Sequence, residues 1–161
     1  MKTNSKINSL FFEAVNVLNT IDELEAEEFA EWTKEKAKLK FNTDFPKFHI
    51  TNNHIYWCNL GNNIGSEQNK VRPVLVVKTS VNSPICTVLP LTTERLHDTR
   101  WYHIDLEVLA STVLIEQLRN VSKLRFVNPY RQKGKLVKIN SNDWGNINNA
   151  LNKYYSLTEL K

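Results

Sequence analysis

The chain has 161 residues, enough for one ordinary domain or for a small domain of roughly 110 residues with an appendage. Its formal charge of +4 is unevenly spread: residues 1–47 hold 7 Lys/Arg against 9 Asp/Glu, net −2, and residues 48–161 hold 14 against 8, net +6. No run approaches membrane-spanning length, and Cys58 and Cys86 show neither Cys-x-x-Cys nor Cys/His spacing, which argues against a zinc motif or a disulfide framework.

The start, Met1-Lys2-Thr3-Asn4-Ser5-Lys6, leads into an apolar stretch interrupted by Glu13 and Asn16, a poor signal peptide. With the two cysteines read as reduced, buried apolar residues, the expected location is the cytoplasm. Ile7, Leu10, Phe11, Ala14, Val15 and Leu18 recur at helical spacing, with Asn8 or Ser9 as the cap. A second helix is expected from about Ile21 to Phe41. Its acids, Asp22, Glu23, Glu25, Glu27, Glu28 and Glu31, precede Lys34, Lys36, Lys38 and Lys40, an order that complements the helix dipole. Asn42 to Phe48, with Pro46, reads as a linker. The expected organisation is therefore a helical extension and linker over residues 1–47 and a second domain over residues 48–161.

Ile55-Tyr56-Trp57-Cys58 and Val74-Leu75-Val76-Val77 read as two strands framing a loop. Within that loop Gly61 and Gly65 permit positive φ, and Ser66, Glu67, Gln68 and Arg72 supply polar and charged groups on a rigid frame. Pro73 biases Arg72 towards an extended backbone, and a guanidinium there offers a fixed fork of donors suited to phosphate. A surface hairpin with Arg72 and Glu67 paired to each other is the ordinary alternative.

Pro84 to Leu91 is apolar at nearly every position, a strand buried on both faces. A polar loop, Thr92 to Arg100, follows. Trp101 to Leu106 and Ser111 to Ile115 read as an antiparallel pair. Arg119 to Phe126 contains a tight turn and another short strand, and Asn128 to Lys135 is a basic excursion that lengthens a loop. Leu136 to Ile139 leads to a C-terminal helix capped by Asn140 or Ser141, with Trp144, Ile147, Leu151 and Tyr154 or Tyr155 on its inner side. Many short strands with few helices imply a mainly β fold with helices (α+β), its small curved sheet closing towards a barrel.

Three ordered motifs carry a family resemblance. Gly65-Ser66-Glu67-Gln68 followed by Val71-Arg72-Pro73-Val74-Leu75-Val76-Val77 resembles the signature of the MazF/PemK toxin endoribonucleases. Val88-Leu89-Pro90-Leu91-Thr92-Thr93 and Leu114-Ile115-Glu116-Gln117-Leu118-Arg119-Asn120-Val121-Ser122-Lys123-Leu124-Arg125-Phe126 follow in the family's order. The resemblance runs from about Ile55 to the C-terminus and leaves the first ~50 residues uncovered. It implies an SH3-like β-barrel of the MazF/PemK/CcdB type with a terminal helix, a homodimer with a groove across it, an antitoxin partner, and cleavage of single-stranded RNA without metal or other cofactor.

In the chemistry so implied, the ribose 2′-oxygen attacks phosphorus and leaves a 2′,3′-cyclic phosphate and a 5′-hydroxyl, so a charged phosphorane must be stabilised and two protons managed. Arg72 suits the first task, and Thr92 matches the family's catalytic threonine. For Thr92 taken alone, a strand-end hydroxyl satisfying backbone is the ordinary alternative. Glu67 either orients Arg72 or acts as base. Ser66, Gln68 and Gln117 offer uncharged groups to unstacked bases, and Lys70, with Asn69, either adds a phosphate contact or narrows the groove. Arg119, Lys123 and Arg125 either track phosphates or form a solvated basic edge. His97 and His103 flank the polar loop as candidates for proton transfer, against the ordinary reading as surface histidines.

Asn69-Lys70 stands where the family usually has small residues, and the Asn128–Lys135 excursion looks longer than usual. Two other classes remain: a CcdB-like gyrase poison that binds protein and needs no Arg/Thr pair, and an inactive regulator or adaptor on the toxin fold. The acid-rich segment Asp22 to Glu31 resembles the antitoxins' combination of acidic and apolar residues and so reads as an inhibitor of the groove. Alternatively, the stripe of Ile7, Leu10, Phe11 and Val15 packs the helices as structural padding.

Overall fold

The computed structural model describes residues 4–42 and 44–156. Residues 1–3, part of the start that makes a poor signal peptide, and residue 43, in the expected linker, lie outside that range. The chain divides after Asn42 into two compact units.

The first unit is two helices, α1 (Ser5–Leu18) and α2 (Glu23–Phe41). The cap of α1 falls earlier than Asn8 or Ser9: the Asn4 side chain accepts from the Lys6 N–H, which satisfies a donor left open by the first turn. At α2 the carboxylate of Asp22 accepts from the Leu24 and Glu25 N–H groups, so Ile21 and Asp22 precede the helix. Neither helix contains a buried residue.

The second unit is organised around the antiparallel strands β1 (Ile55–Asn59), β2 (Val71–Lys78) and β3 (Ile85–Thr92). Because side chains alternate along a strand, this meander supplies two cores. Ile55, Leu75, Leu89 and Leu91 pack with Ile147 and Ala150 of α3 (Ser141–Tyr154). Tyr56, Cys58, Val74, Val76, Cys86 and Val88 pack with Val121 and Phe126. Burying such a side chain contributes roughly 1.5–3 kcal/mol, so the β-branched runs hold the frame. Cys58 and Cys86 are free and buried, and burial pushes the Cys58 thiol up to about 12.

β3 changes partners along one edge. Its first half, Ile85 to Val88, pairs with β6 (Arg119–Ser122), and Leu91 and Thr92 pair with β5 (Thr112–Leu114), which in turn pairs with β4 (His103–Asp105). β7 (Phe126–Pro129) joins the opposite side of β1, giving the order β4-β5-β3-β2-β1-β7, with β6 beside β3. The result is the α+β architecture expected from the sequence. The tight turn predicted within Arg119 to Phe126 is a 3-10 turn, Lys123–Arg125, capped by the Ser122 hydroxyl.

Three stretches differ from the sequence reading. Phe48, read as the end of the linker, stacks on Tyr56 at 6.0 Å and packs against the second core. The Asn128–Lys135 excursion is a hairpin: β8 (Arg131–Gln132) pairs with β9 (Lys135–Leu136) across Lys133 and Gly134, both at positive φ as such a turn requires. At the end of α3 the rings of Tyr154 and Tyr155 stay largely exposed, although the Tyr155 hydroxyl turns inward to donate to the Ile115 carbonyl at 3.0 Å, while Ile147 is buried and Trp144 and Leu151 are partly so.

Candidate functional site

The start of β2 and the end of β3 lie side by side, and the backbone there opens into a hollow of about 320 Å³. Trp57 of β1, Lys70, Val71, Arg72 and Pro73 around the start of β2, Leu91, Thr92 and Thr93 at the end of β3, Ser111 and Tyr130 line it. Arg72 lies opposite Cys58 in the β1–β2 register, which carries the signature loop directly onto this strand end. Its Nε donates to the Asn69 carbonyl at 2.8 Å. A guanidinium anchored through Nε keeps its remaining donors, on the two Nη groups, for another acceptor. Thr92 is only 6 % exposed, and its Oγ1 accepts from the Glu94 N–H at 3.2 Å. A hydroxyl that accepts in this way still has its own proton to donate. The hollow therefore gathers a planar cation and a fixed hydroxyl donor, groups suited to phosphate oxygens.

The other residues singled out from the sequence form a second cluster. Glu67 pairs with Arg119 at 3.2 Å, not with Arg72. Arg119 also donates from Nη1 to the Gln68 carbonyl at 3.3 Å. Gln117 donates from Nε2 to the Ser66 carbonyl and accepts at Oε1 from the Gln68 N–H, each at 3.3 Å. Ser66, Glu67, Gln68, Gln117 and Arg119 thus tie the loop between β1 and β2 to the segment that follows β5. The loop is further closed on itself by Asn63, whose Nδ2 donates to the Leu60 and Gln68 carbonyls. Of Ser66, Gln68, Lys70, Gln117 and Arg119, which the sequence suggests for RNA contact, Lys70, at φ 65°, is the one that reaches the hollow.

Two of the basic residues read as phosphate trackers are engaged with backbone. Arg125 donates from Nη1 to the Asn59 and Leu60 carbonyls, both at 3.1 Å, and burial lowers its pKa from the ordinary value. Lys123 donates to the Ser80 carbonyl at 2.7 Å. The histidines also part company. His97 is exposed, with its N–H donating to Asp105 Oδ2 at 2.8 Å. The buried His103 has Nδ1 3.1 Å from Asp98 and Nε2 3.0 Å from Glu116, so it joins the polar loop after Thr92 to the segment bearing Gln117. A backbone bond from Arg100 and then the His103 contact hold the Asp98 carboxyl below its ordinary value.

Trp57 and Tyr130 are the hollow residues that sequence reasoning misses. Their rings lie 5.3 Å apart at 33°. A usable signal exists for Trp57: in β1 it alone is exposed, directly opposite Pro73. Tyr130 is concealed within a stretch that reads as polar loop.

A protein-family comparison matches residues 51–155 to the PemK-like, MazF-like toxin of type II toxin-antitoxin systems. The chain belongs to this family. The matched span contains Arg72, Thr92 and every residue of the hollow, and it begins after both N-terminal helices. Among solved structures, MazF (Form-I) from Deinococcus radiodurans is 18 % identical with a TM-score of 0.53, over 67 % of this chain and 97 % of that one. The MazE-MazF structure (Form-II) from the same organism gives 16 % identity and a TM-score of 0.52, over 69 % of this chain and 100 % of that one. At such identities the likeness is one of fold. No curated protein matches the sequence.

Proposed function

We propose that this toxin-family chain is a metal-independent endoribonuclease that cleaves single-stranded RNA. The observation that carries the reading is the placement of Arg72 and Thr92, on different strands, around one hollow. A scissile phosphate set there meets the Arg72 Nη donors and the Thr92 hydroxyl. The 2′-oxygen attacks phosphorus as its proton passes to solvent water, and the bond to the 5′-oxygen breaks as that oxygen takes up a proton, delivered directly by water or through the Thr92 hydroxyl, which water reprotonates. Products are a 2′,3′-cyclic phosphate and a 5′-hydroxyl. Arg72 stabilises the negative charge that builds on the phosphorane, where donors fixed in advance act most strongly. Thr92 donates to a phosphate oxygen or to the leaving oxygen.

Glu67 enters this scheme through its ion pair with Arg119, which holds the signature loop, so we assign it as a positioning residue. Glu67 is not among the residues that line the hollow, so proton abstraction by it would require the signature loop to move towards Arg72 and Thr92. Ser66, Gln68 and Gln117 shape the same loop, and Lys70 brings a cation to the hollow's edge. The complex named in the MazE-MazF structure supports an antitoxin partner for this chain as well, and a homodimer is carried over from the family resemblance as part of this proposal. A CcdB-like protein-binding role would use neither Arg72 nor Thr92.

The test is incubation of the purified protein with RNA in the presence of chelator, followed by mapping of 5′-hydroxyl ends. Cleavage with cyclic-phosphate products is expected. Intact RNA, or cleavage that chelation abolishes, would overturn the reading.

A further inference from the structure

We infer that Trp57, Tyr130 and the basic hairpin beyond them form a subsite for the RNA strand next to the scissile phosphate. The pair stacks an unpaired base, and the hairpin follows the adjoining phosphates. This rests on the proposed RNA cleavage and extends it to how the substrate is held.

The aromatic pair borders the same hollow as Arg72 and Thr92. Trp57 keeps 36 % of its surface exposed although it sits mid-strand in β1, between Pro73 on one side and Asn128 on the other. Tyr130 is held by both backbone groups: its N–H donates to the Ile55 carbonyl at 3.0 Å, and its carbonyl accepts from the Val137 N–H at 2.9 Å. These bonds fix its backbone, and its ring lies beside the indole at 5.3 Å. Two rigid, partly open aromatic rings beside a phosphate-binding hollow suit a nucleobase, because every base has a face to stack and no particular sequence is needed.

The hairpin supplies the charge. Residues 126–142 contain Arg131, Lys133, Lys135 and Lys138 and no acid, and all four cations are exposed. Arg131 donates to the Gly134 carbonyl at 2.9 Å, which braces the tight turn while Lys133 sits at its tip. The hairpin leaves directly from Tyr130, since Arg131 begins β8, and it returns through Val137, which bonds Tyr130. A strand stacked on the aromatic pair therefore runs on towards Lys133 and Lys135. An acidic peptide would suit the lysines, but an aromatic stack at the phosphate hollow favours RNA.

The experiment compares wild type with Trp57→Ala, Tyr130→Ala, Trp57→Phe and the double change Lys133→Ala with Lys135→Ala. Cleavage kinetics are read on a single-stranded oligoribonucleotide, and binding on the same oligonucleotide with 2′-deoxyriboses, which cannot be cleaved by this route. The alanine changes at the rings are expected to raise KM and weaken binding roughly tenfold while kcat changes less, and Trp57→Phe to restore most of the loss. Removing the lysines should lower the slope of binding against salt by about 0.7 for each phosphate no longer neutralised. Quenching of tryptophan emission by the deoxy-oligonucleotide should fall in Trp57→Phe.

If wild type cleaves RNA and the variants keep its KM, its binding and its salt slope, the subsite is wrong and the nuclease reading stands. The subsite fails in that case even if binding of an acidic peptide falls in the same variants. If wild type binds without cleaving and the ring variants bind less, the subsite stands and the nuclease reading fails. A wild type that neither binds nor cleaves overturns both.

Discussion

The two units solve the problem of being folded in different ways. α1 and α2 follow the helix rules closely, with side-chain caps at both N-termini and acids leading lysines along α2, yet neither helix buries a residue. The second unit uses short strands of three to eight residues in its main sheet and irregular connections, yet every buried hydrophobic side chain among the described residues belongs to it. Good local propensity makes a helix, but a packed core decides which part of a chain carries stability and precise geometry. The hollow with Arg72 and Thr92 lies at the open end of two strands, the half-exposed start of β2 beside the buried end of β3, so its groups are carried by strands anchored in both cores.

The largest effects are expected at the hollow. Arg72→Ala and Thr92→Ala are each expected to lower RNA cleavage by about a hundredfold or more, as loss of a fixed oxyanion donor does, with little change in the melting temperature. Glu67→Gln should cost less, because Glu67 acts through Arg119 and the loop. Full activity in either hollow variant would remove the site from this position.

The next largest difference is in stability. Leu75→Ala, which opens a cavity at a fully buried site of the first core, is expected to destabilise by about 2–5 kcal/mol in urea unfolding. Phe11→Ala on exposed α1 should stay within about 0.5 kcal/mol. Deletion of residues 1–46 retains Phe48 and both cores, so the truncated protein should melt within a few degrees of the full chain. The same truncation separates the two readings of the acidic helix. Several-fold faster cleavage means that the Asp22–Glu31 segment competes with RNA, and equal cleavage by a stable protein removes that role.

How much of this is legible in the sequence follows the same division. The meander β1 to β3 declares itself through β-branched runs, and Arg72 and Thr92 through the motifs that surround them. Where two distant segments have to meet, the sequence falls short. Glu67 has a nearby candidate in Arg72, but its partner is Arg119, because the loop folds against β6. His103 looks like a surface group since its partners, Asp98 and Glu116, are brought around it only when β4 pairs with β5. Tyr130 is hidden by polar neighbours, and Lys133-Gly134 is a weaker hairpin signal than Asn-Gly although it takes the same positive φ.

The smallest expected effect is electrostatic and compares one carboxylate in each unit. Glu35 of α2 and Asp98 of the polar loop both hold their pKa below the ordinary values, 4.5 and 3.8. For Glu35 the leading cause is the hydrogen bond from Lys38 one turn on, an exposed pair that water screens. For Asp98 it is the Arg100 N–H, followed by the contact to His103, whose other ring nitrogen faces Glu116. A carboxylate with a depressed folded pKa stabilises the fold above its unfolded value and loses that contribution as pH falls through the folded one. Both contributions should therefore be complete at about pH 7 and should fade below about pH 4. Their sizes should differ, because losing Asp98 frees a loop tied to a buried imidazole, whereas losing the Glu35 pair frees only solvated side chains. Unfolding midpoints measured across that acid range in wild type, Asp98→Asn and Glu35→Gln check this. Asp98→Asn should start lower at neutral pH and converge on wild type in acid, while Glu35→Gln should track wild type throughout. An Asp98→Asn curve parallel to wild type would show that the Asp98 charge adds nothing to the loop, leaving Glu116 as the carboxylate that holds His103.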